Sequence, residues 1–128
     1  MQIQEKLYCR TFLREMAKRH EKLFPNADLL SQVKKFDEEY QEYWNTEDGA
    51  DGVKELADCL IVCAGIYRFL PGLGYTAALR VCEMVGDFNA GTIVQLVKKA
   101  EEKWSINERR KWQFVDGVYK HVGVDGNE

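Results

Sequence analysis

The chain has 128 residues, of which 45% are hydrophobic, 12% aromatic and 30% charged, with two prolines. That is the length and composition of one folded domain with a real core, and a disordered or fibrous chain is excluded. Lys plus Arg number 18 against 21 for Asp plus Glu, a formal charge of -3, so the basic field of a nonspecific nucleic-acid binder is missing.

In chain order, a first helix is predicted over residues 2 to 22, ending before Phe24-Pro25-Asn26, with Leu7, Phe12 and Met16 facing inward. Its start lacks the apolar region of a secretory signal, and the longest nearly apolar run, Cys59 to Tyr67, is too short to span a membrane. A cytoplasmic protein with no membrane partner is the expectation. A second helix, capped by Asn26 or Asp28, runs to Trp44 with Leu29, Val33, Phe36, Tyr40 and Tyr43 as its apolar stripe. Asn45 to Gly52 is a polar turn in which Asp51 is a candidate cap. Its acids do not follow the alternate-position register of a calcium loop.

The third helix, Gly52 to Leu70, stops at Pro71-Gly72. Leu56, Leu60, Cys63, Tyr67 and Leu70 form one stripe and Ala57, Ile61 and Ala64 a second, so it is apolar nearly all round and belongs at the centre. A shorter helix follows at Tyr75 to Val85, then a break through Gly86 to Gly91 and a long helix from Thr92 to Trp112. The tail from Gly117 to Glu128 carries three glycines and is expected to be loosely ordered. Apolar residues recur at three and four rather than two, so the fold class is all-α, one helical bundle of four to five helices. Without repeats or a shift in composition, residues 1–128 read as a single domain.

Four cysteines and two histidines lack zinc-ligand spacing. Cys59 and Cys63 lie four apart on a helix, Cys9 and Cys82 stand alone, and His20 and His121 are isolated, so reduced, buried thiols are expected.

The informative residues are acids. Glu38, Glu39 and Glu42 lie on the second helix, and Glu55 and Asp58 near the start of the third. Residues three apart on a helix are separated by about 60°, so Glu39 with Glu42 and Glu55 with Asp58 each point one way, and two antiparallel helices would turn four carboxylates toward each other. Taken singly, these acids read as a solvated face and a helix N-terminal charge. Taken jointly, with Asp58 opening the apolar stretch Cys59 to Cys63, they repel unless a cation sits among them. Carboxylates without imidazole or thiolate suit a hard ion, Mg²⁺ or Mn²⁺. A di-iron bundle requires Glu-x-x-His pairs, which are absent.

The pattern Glu39-x-x-Glu42, a gap of 12 residues, then Glu55-x-x-Asp58 resembles the signature of the all-α nucleoside triphosphate pyrophosphatases, the MazG-like group related to dimeric dUTPases and dCTPases. Glu38-Glu39-Tyr40-Gln41-Glu42 is similar to the family's Glu-Glu-x-x-Glu, and Glu55-Leu56-Ala57-Asp58-Cys59-Leu60 to its Glu-Leu-x-Asp-x-Leu. The resemblance is strong from Lys34 to Tyr67, weaker from Ala100 to Val122, and absent in the first helix. It implies Mg²⁺ ligands at Glu39, Glu42, Glu55 and Asp58, catalytic roles for Glu42 and Glu38 as base or added ligand, and a nucleoside triphosphate cleaved to monophosphate and pyrophosphate. A homodimer or homotetramer is implied as well, and the third helix, apolar all round, points independently to more partners than one chain.

Polyphosphate also needs cationic donors. Lys103, Asn107 and Arg110 stand at i, i+4 and i+7 on the last predicted helix, beside the packing stripe Val97, Ala100 and Trp104. Ala100-Glu101-Glu102-Lys103-Trp104 is similar to the family's Ala-Asn-x-Lys-Phe, whose lysine contacts phosphate. Glu101 and Gly65 depart from it, each standing where relatives carry Asn. Lys35 is a further candidate for phosphate, with an intrahelical ion pair as the alternative, and Trp44, Trp104 and Trp112 are candidates for stacking on a base or for the core. No single residue identifies the base. The rival readings are a non-catalytic nucleotide- or protein-binding module and a purely structural dimerisation domain.

Overall fold

The computed structural model describes residues 1–45, 49–87 and 93–122, and the side chains within 49–51 and 86–87 lie outside that description. Among the described residues, five helices and one hairpin follow in order: α1 Ile3–Leu23, α2 Leu29–Trp44, α3 Gly49–Phe69, α4 Pro71–Asp87, α5 Ile93–Arg109, β1 Trp112–Val115 and β2 Val118–His121.

Helix α3 is the axis, and α1, α2, α4 and α5 all pack against it. Its residues Leu56, Ala57, Cys59, Leu60, Ile61, Val62, Cys63, Ala64 and Ile66 are all buried within the one chain. The all-round apolar pattern is therefore satisfied by four neighbours of the same chain, and the hint of further partners taken from it falls away. Around α3 the core is filled by Leu13 and Met16 of α1, Val81 and Met84 of α4, and Leu96, Val97 and Trp104 of α5. Cys9 of α1 and Cys82 of α4, which look isolated in sequence, bring their Sγ atoms to 3.9 Å in this core. All four cysteines are free and buried, and burial holds the Cys59 and Cys63 thiols above their ordinary range.

The caps explain the boundaries. Asp28 accepts a hydrogen bond from the Ser31 backbone N–H at 2.8 Å and starts α2, so Asp28 rather than Asn26 is the cap. Pro71 opens α4, where its missing N–H costs nothing, so that helix begins four residues before the expected Tyr75. Helix α3 likewise begins at Gly49, ahead of the expected Asp51 cap. At Gly74 an added Cβ would meet the backbone nitrogen and Cα of Tyr67 well inside contact distance. Backbone cannot yield as a side-chain tip does, so Gly74→Ala is expected to pry α4 from α3 and cost about 1–3 kcal/mol, read as a lowered midpoint in denaturant at unchanged m-value.

Three inward assignments are corrected. Leu70, expected in the α3 stripe, is 47% exposed, because α3 ends at Phe69. Leu7 is 58% exposed, because α1 turns Cys9, Phe12, Leu13 and Met16 to the core and leaves Leu7 on its outer side. Val33 is exposed too, since Glu39 and Tyr43 occupy the buried line of α2.

The largest departure is at the C-terminal end. Helix α5 stops at Arg109 rather than Trp112, and residues 112–121 form an antiparallel hairpin where a helix end and a loose tail were expected. Asp116 and Gly117 both have positive φ, 52° and 81°, the conformation of a two-residue hairpin turn whose twist matches the flanking strands. The hairpin is docked: Trp112 and Tyr119 pack on Phe24 with ring centroids 4.9 and 4.8 Å away. The Asn26 backbone N–H donates to the Tyr119 hydroxyl at 2.9 Å. Residues 46–48 of the predicted polar turn, 88–91 of the predicted break, 92 at the expected start of the last helix and 123–128 of the predicted tail lie outside the described residues.

Candidate metal centre and adjoining aromatic cavity

Helices α2 and α3 pack side by side, and this turns the two acid pairs toward each other. Carboxylate oxygens of Glu39, Glu42 and Glu55 lie within 4.8 Å of one another. Glu55 shares a hydrogen bond with Glu42, an arrangement that requires a proton between them. Asp58 lies at the edge of this group, close enough that its charge raises the pKa of both Glu39 and Glu55, and its Oδ1 is 3.9 Å from Lys103 Nζ.

Glu39 is 8% exposed, and burial together with Asp58 pushes its carboxyl up to about 7. Burial also raises Asp58, offset in part by Lys103, and it raises Glu55. Glu39 Oε2 and Glu55 Oε2 are buried and lack a hydrogen-bond partner. Buried carboxylate oxygens left unpaired are costly, and a hard divalent cation is the group whose chemistry fits this all-oxygen donor set.

Because the Glu39 pKa rises on folding, the folded chain holds its proton more firmly than the unfolded one between about pH 4.5 and 7, and metal-free stability falls as pH rises through that window. Buried His20, pushed down to about 4, acts in the opposite sense over nearly the same range. The Glu39 effect is therefore isolated by difference. Metal-free Glu39→Gln should match the wild type near pH 4.5 and exceed it by about 1–2 kcal/mol at pH 8 once solvent screening is allowed for, as read from urea unfolding at each pH.

The remaining predicted residues divide. Lys35 lies 3.4 Å from Glu39 and 3.9 Å from Glu38, the intrahelical pairing that was its alternative reading. The Glu38 side chain is 65% exposed and turned to that lysine rather than into the cluster. Lys103 does reach the acids, lining with Lys54, Asp58 and Lys99 a cleft of about 200 Å³. Asn107 stays on α5 one turn after Lys103, as expected, but Arg110 lies beyond the helix end at Arg109 and leaves that face. The Arg110 guanidinium instead turns back to donate to Asn107 Oδ1 at 3.5 Å. Of the tryptophans, Trp104 is fully buried in the core, Trp44 is exposed, and Trp112 belongs to the hairpin.

Sequence reasoning missed a cavity of about 150 Å³ beside the cluster, lined by His20, Phe24, Gln32, Lys35, Val62, Asn107, Trp112 and Tyr119 among others. Lys35 joins the two, lining the cavity while paired with Glu39. His20 Nε2 lies 3.1 Å from Gln32 Oε1, and Arg68, anchored on the Phe24 carbonyl at 2.8 Å, lies 3.3 Å from His20 Nδ1. Gly65 faces this His20 and Gln32 pair closely: an added Cβ there would land on the Gln32 carboxamide and 2.9 Å from His20 Nε2.

Comparisons with protein-family models, curated proteins and solved structures return no match. The assignment of a function therefore rests on the residues themselves. Among the described residues no helix is long and apolar enough to cross a membrane.

Proposed function

We propose that this chain is a MazG-like, Mg²⁺-dependent nucleoside triphosphate pyrophosphohydrolase, converting a nucleotide to its monophosphate and pyrophosphate and so clearing or balancing nucleotide pools. The observation that carries the reading is the meeting of Glu39, Glu42 and Glu55 carboxylate oxygens within 4.8 Å, where Glu39 Oε2 and Glu55 Oε2 are buried without a hydrogen-bond partner and Asp58 and Lys103 lie alongside.

Glu39, Glu42, Glu55 and Asp58 would hold Mg²⁺, with Mn²⁺ as a substitute. Such a cation would supply charge neutralisation at phosphate oxygens and a water of lowered pKa. The chain's own residues do the rest. Lys103, 3.9 Å from Asp58 Oδ1, would offer a polyphosphate oxygen beside the acids a positive partner. Glu42, which shares a hydrogen bond with Glu55, would serve as the base that holds a proton in the cluster, while Glu38, turned to Lys35, would stay outside it. Lys35 shields Glu39 and stands between cluster and cavity.

The assembly proposed with this activity is a homodimer or homotetramer. Since α3 is covered by its own chain, the association would use outward apolar residues such as Ile3 and Leu7, one turn apart on α1. Product analysis by ion-exchange chromatography tests the reading. Incubation of deoxynucleoside and ribonucleoside triphosphates with protein and Mg²⁺ should give monophosphate and pyrophosphate in equal amounts. Release of diphosphate and orthophosphate, or no turnover of any nucleotide, would contradict it.

A further inference from the structure

The cavity beside the acids carries a second reading that rests on the function proposed above. Arginine only donates, so its approach to His20 Nδ1 makes that nitrogen the acceptor and places the single proton of the neutral imidazole on Nε2. Burial and the Arg68 charge keep His20 neutral. The Nε2 proton is then donated to Gln32 Oε1, which fixes the carboxamide and leaves its NH₂ for the cavity that Gln32 lines.

At the other side, Asn107 is committed in the same sense. Its backbone carbonyl accepts from Trp112 Nε1 at 2.8 Å, and its Oδ1 accepts from Arg110 at 3.5 Å, so its side-chain NH₂ is the group left over. Two amide donors thus serve one cavity, between the aromatic rings of Phe24, Trp112 and Tyr119. A volume of about 150 Å³ matches a single six-membered ring, as apolar cavities of that size hold benzene. Val62 in its wall is one helical turn from Asp58, about 5–6 Å along α3, so a ring seated there lies a short sugar's reach from the acids.

We propose that this cavity is the base subsite and that it selects a pyrimidine bearing carbonyls at positions 2 and 4, uracil or thymine, over cytosine and over purines. The carbonyl oxygens accept from Gln32 and Asn107 while the ring lies among the aromatic side chains. Cytosine would set its 4-amino group against an amide NH₂, leaving two donors unpaired, and a purine overfills the space.

Tryptophan fluorescence, reported by Trp112 in the cavity wall, measures binding of dUMP, dCMP and dAMP to the intact protein without metal. dUMP should bind at least about tenfold more tightly than dCMP, the low end of what unpaired buried donors cost. Gln32→Glu replaces the donor by an acceptor and should reverse the order. Gly65→Ala, which displaces the Gln32 carboxamide, should bring the two affinities within about twofold at unchanged helix content by circular dichroism. Equal affinities in the wild type, tighter dAMP binding, no binding of any of the three, or an unchanged order in Gln32→Glu overturns the subsite. Pyrophosphate release without this preference would remove the subsite and leave the hydrolase reading, whereas the preference without release would do the reverse.

Discussion

Glu55→Gln is expected to lower Mg²⁺-dependent nucleotide hydrolysis by at least about 100-fold, a loss larger than that of groups that merely orient a metal's ligands. Gln keeps the shape and one oxygen but removes the charge of a carboxylate whose Oε2 is buried without a partner. The same substitution ends the repulsion among Glu39, Glu42, Glu55 and Asp58, so the metal-free variant should be more stable than the wild type while gaining less on addition of Mg²⁺. Loss of activity together with gain of metal-free stability is the signature of a ligand held at the expense of the fold. A structural acid would lose both. Glu83→Gln, on the exposed side of α4 and paired with Arg80, serves as the control and should leave hydrolysis at the wild-type rate. Steady-state kinetics with parallel thermal melts in EDTA and in Mg²⁺ reads all of these outcomes.

Trp104→Ala should have the largest effect on stability. The indole is fully buried, stacks near His20 with centroids 6.0 Å apart and meets Phe24 edge-on at 5.9 Å, so it joins α5 to the α1 end that carries the cavity. Truncation of a buried tryptophan costs about 3–5 kcal/mol, which for a domain of this size lowers Tm by about 10–20 °C in a calorimetric scan. Trp44→Ala removes the same side chain from an exposed position at the end of α2 and should cost less than about 1 kcal/mol. A small Trp104 effect would mean that α5 does not dock as described.

The acid pairs were legible because spacing alone sets their direction. Residues three apart on a helix share a face whatever surrounds them, and Asp58 heading an apolar stretch marks that face as inward. The central place of α3 was legible for a similar reason, since a helix apolar all round must be covered. What covers it was not, and here the cover comes from the same chain.

The C-terminal hairpin was missed although its turn residues, Asp116-Gly117, are a strong hairpin signal. Trp104 and Trp112 lie eight apart and continue the helical period of α5, and four-residue strands give too few alternations to compete with it. That error also put Arg110 on the helix face of Lys103 and Asn107. With α5 ending at Arg109, Arg110 turns back to Asn107, whose backbone carbonyl accepts from Trp112 of the hairpin. The cavity itself is drawn from α1, α2, α3, α5 and the hairpin, and the Cys9–Cys82 contact spans 73 positions. Neither arrangement has a local pattern from which it could be read.

The central claim is that Glu39, Glu42, Glu55 and Asp58 form a divalent-cation site, and titration of Mn²⁺ followed by electron paramagnetic resonance tests it without reference to any substrate. Binding removes the six-line signal of free Mn²⁺. The wild type should deplete it at one or two ions per chain and Mg²⁺ should restore it by competition, while the Glu39→Gln, Glu55→Gln double variant should leave the signal at its protein-free intensity. Equal depletion by wild type and double variant, or none by either, would contradict the account.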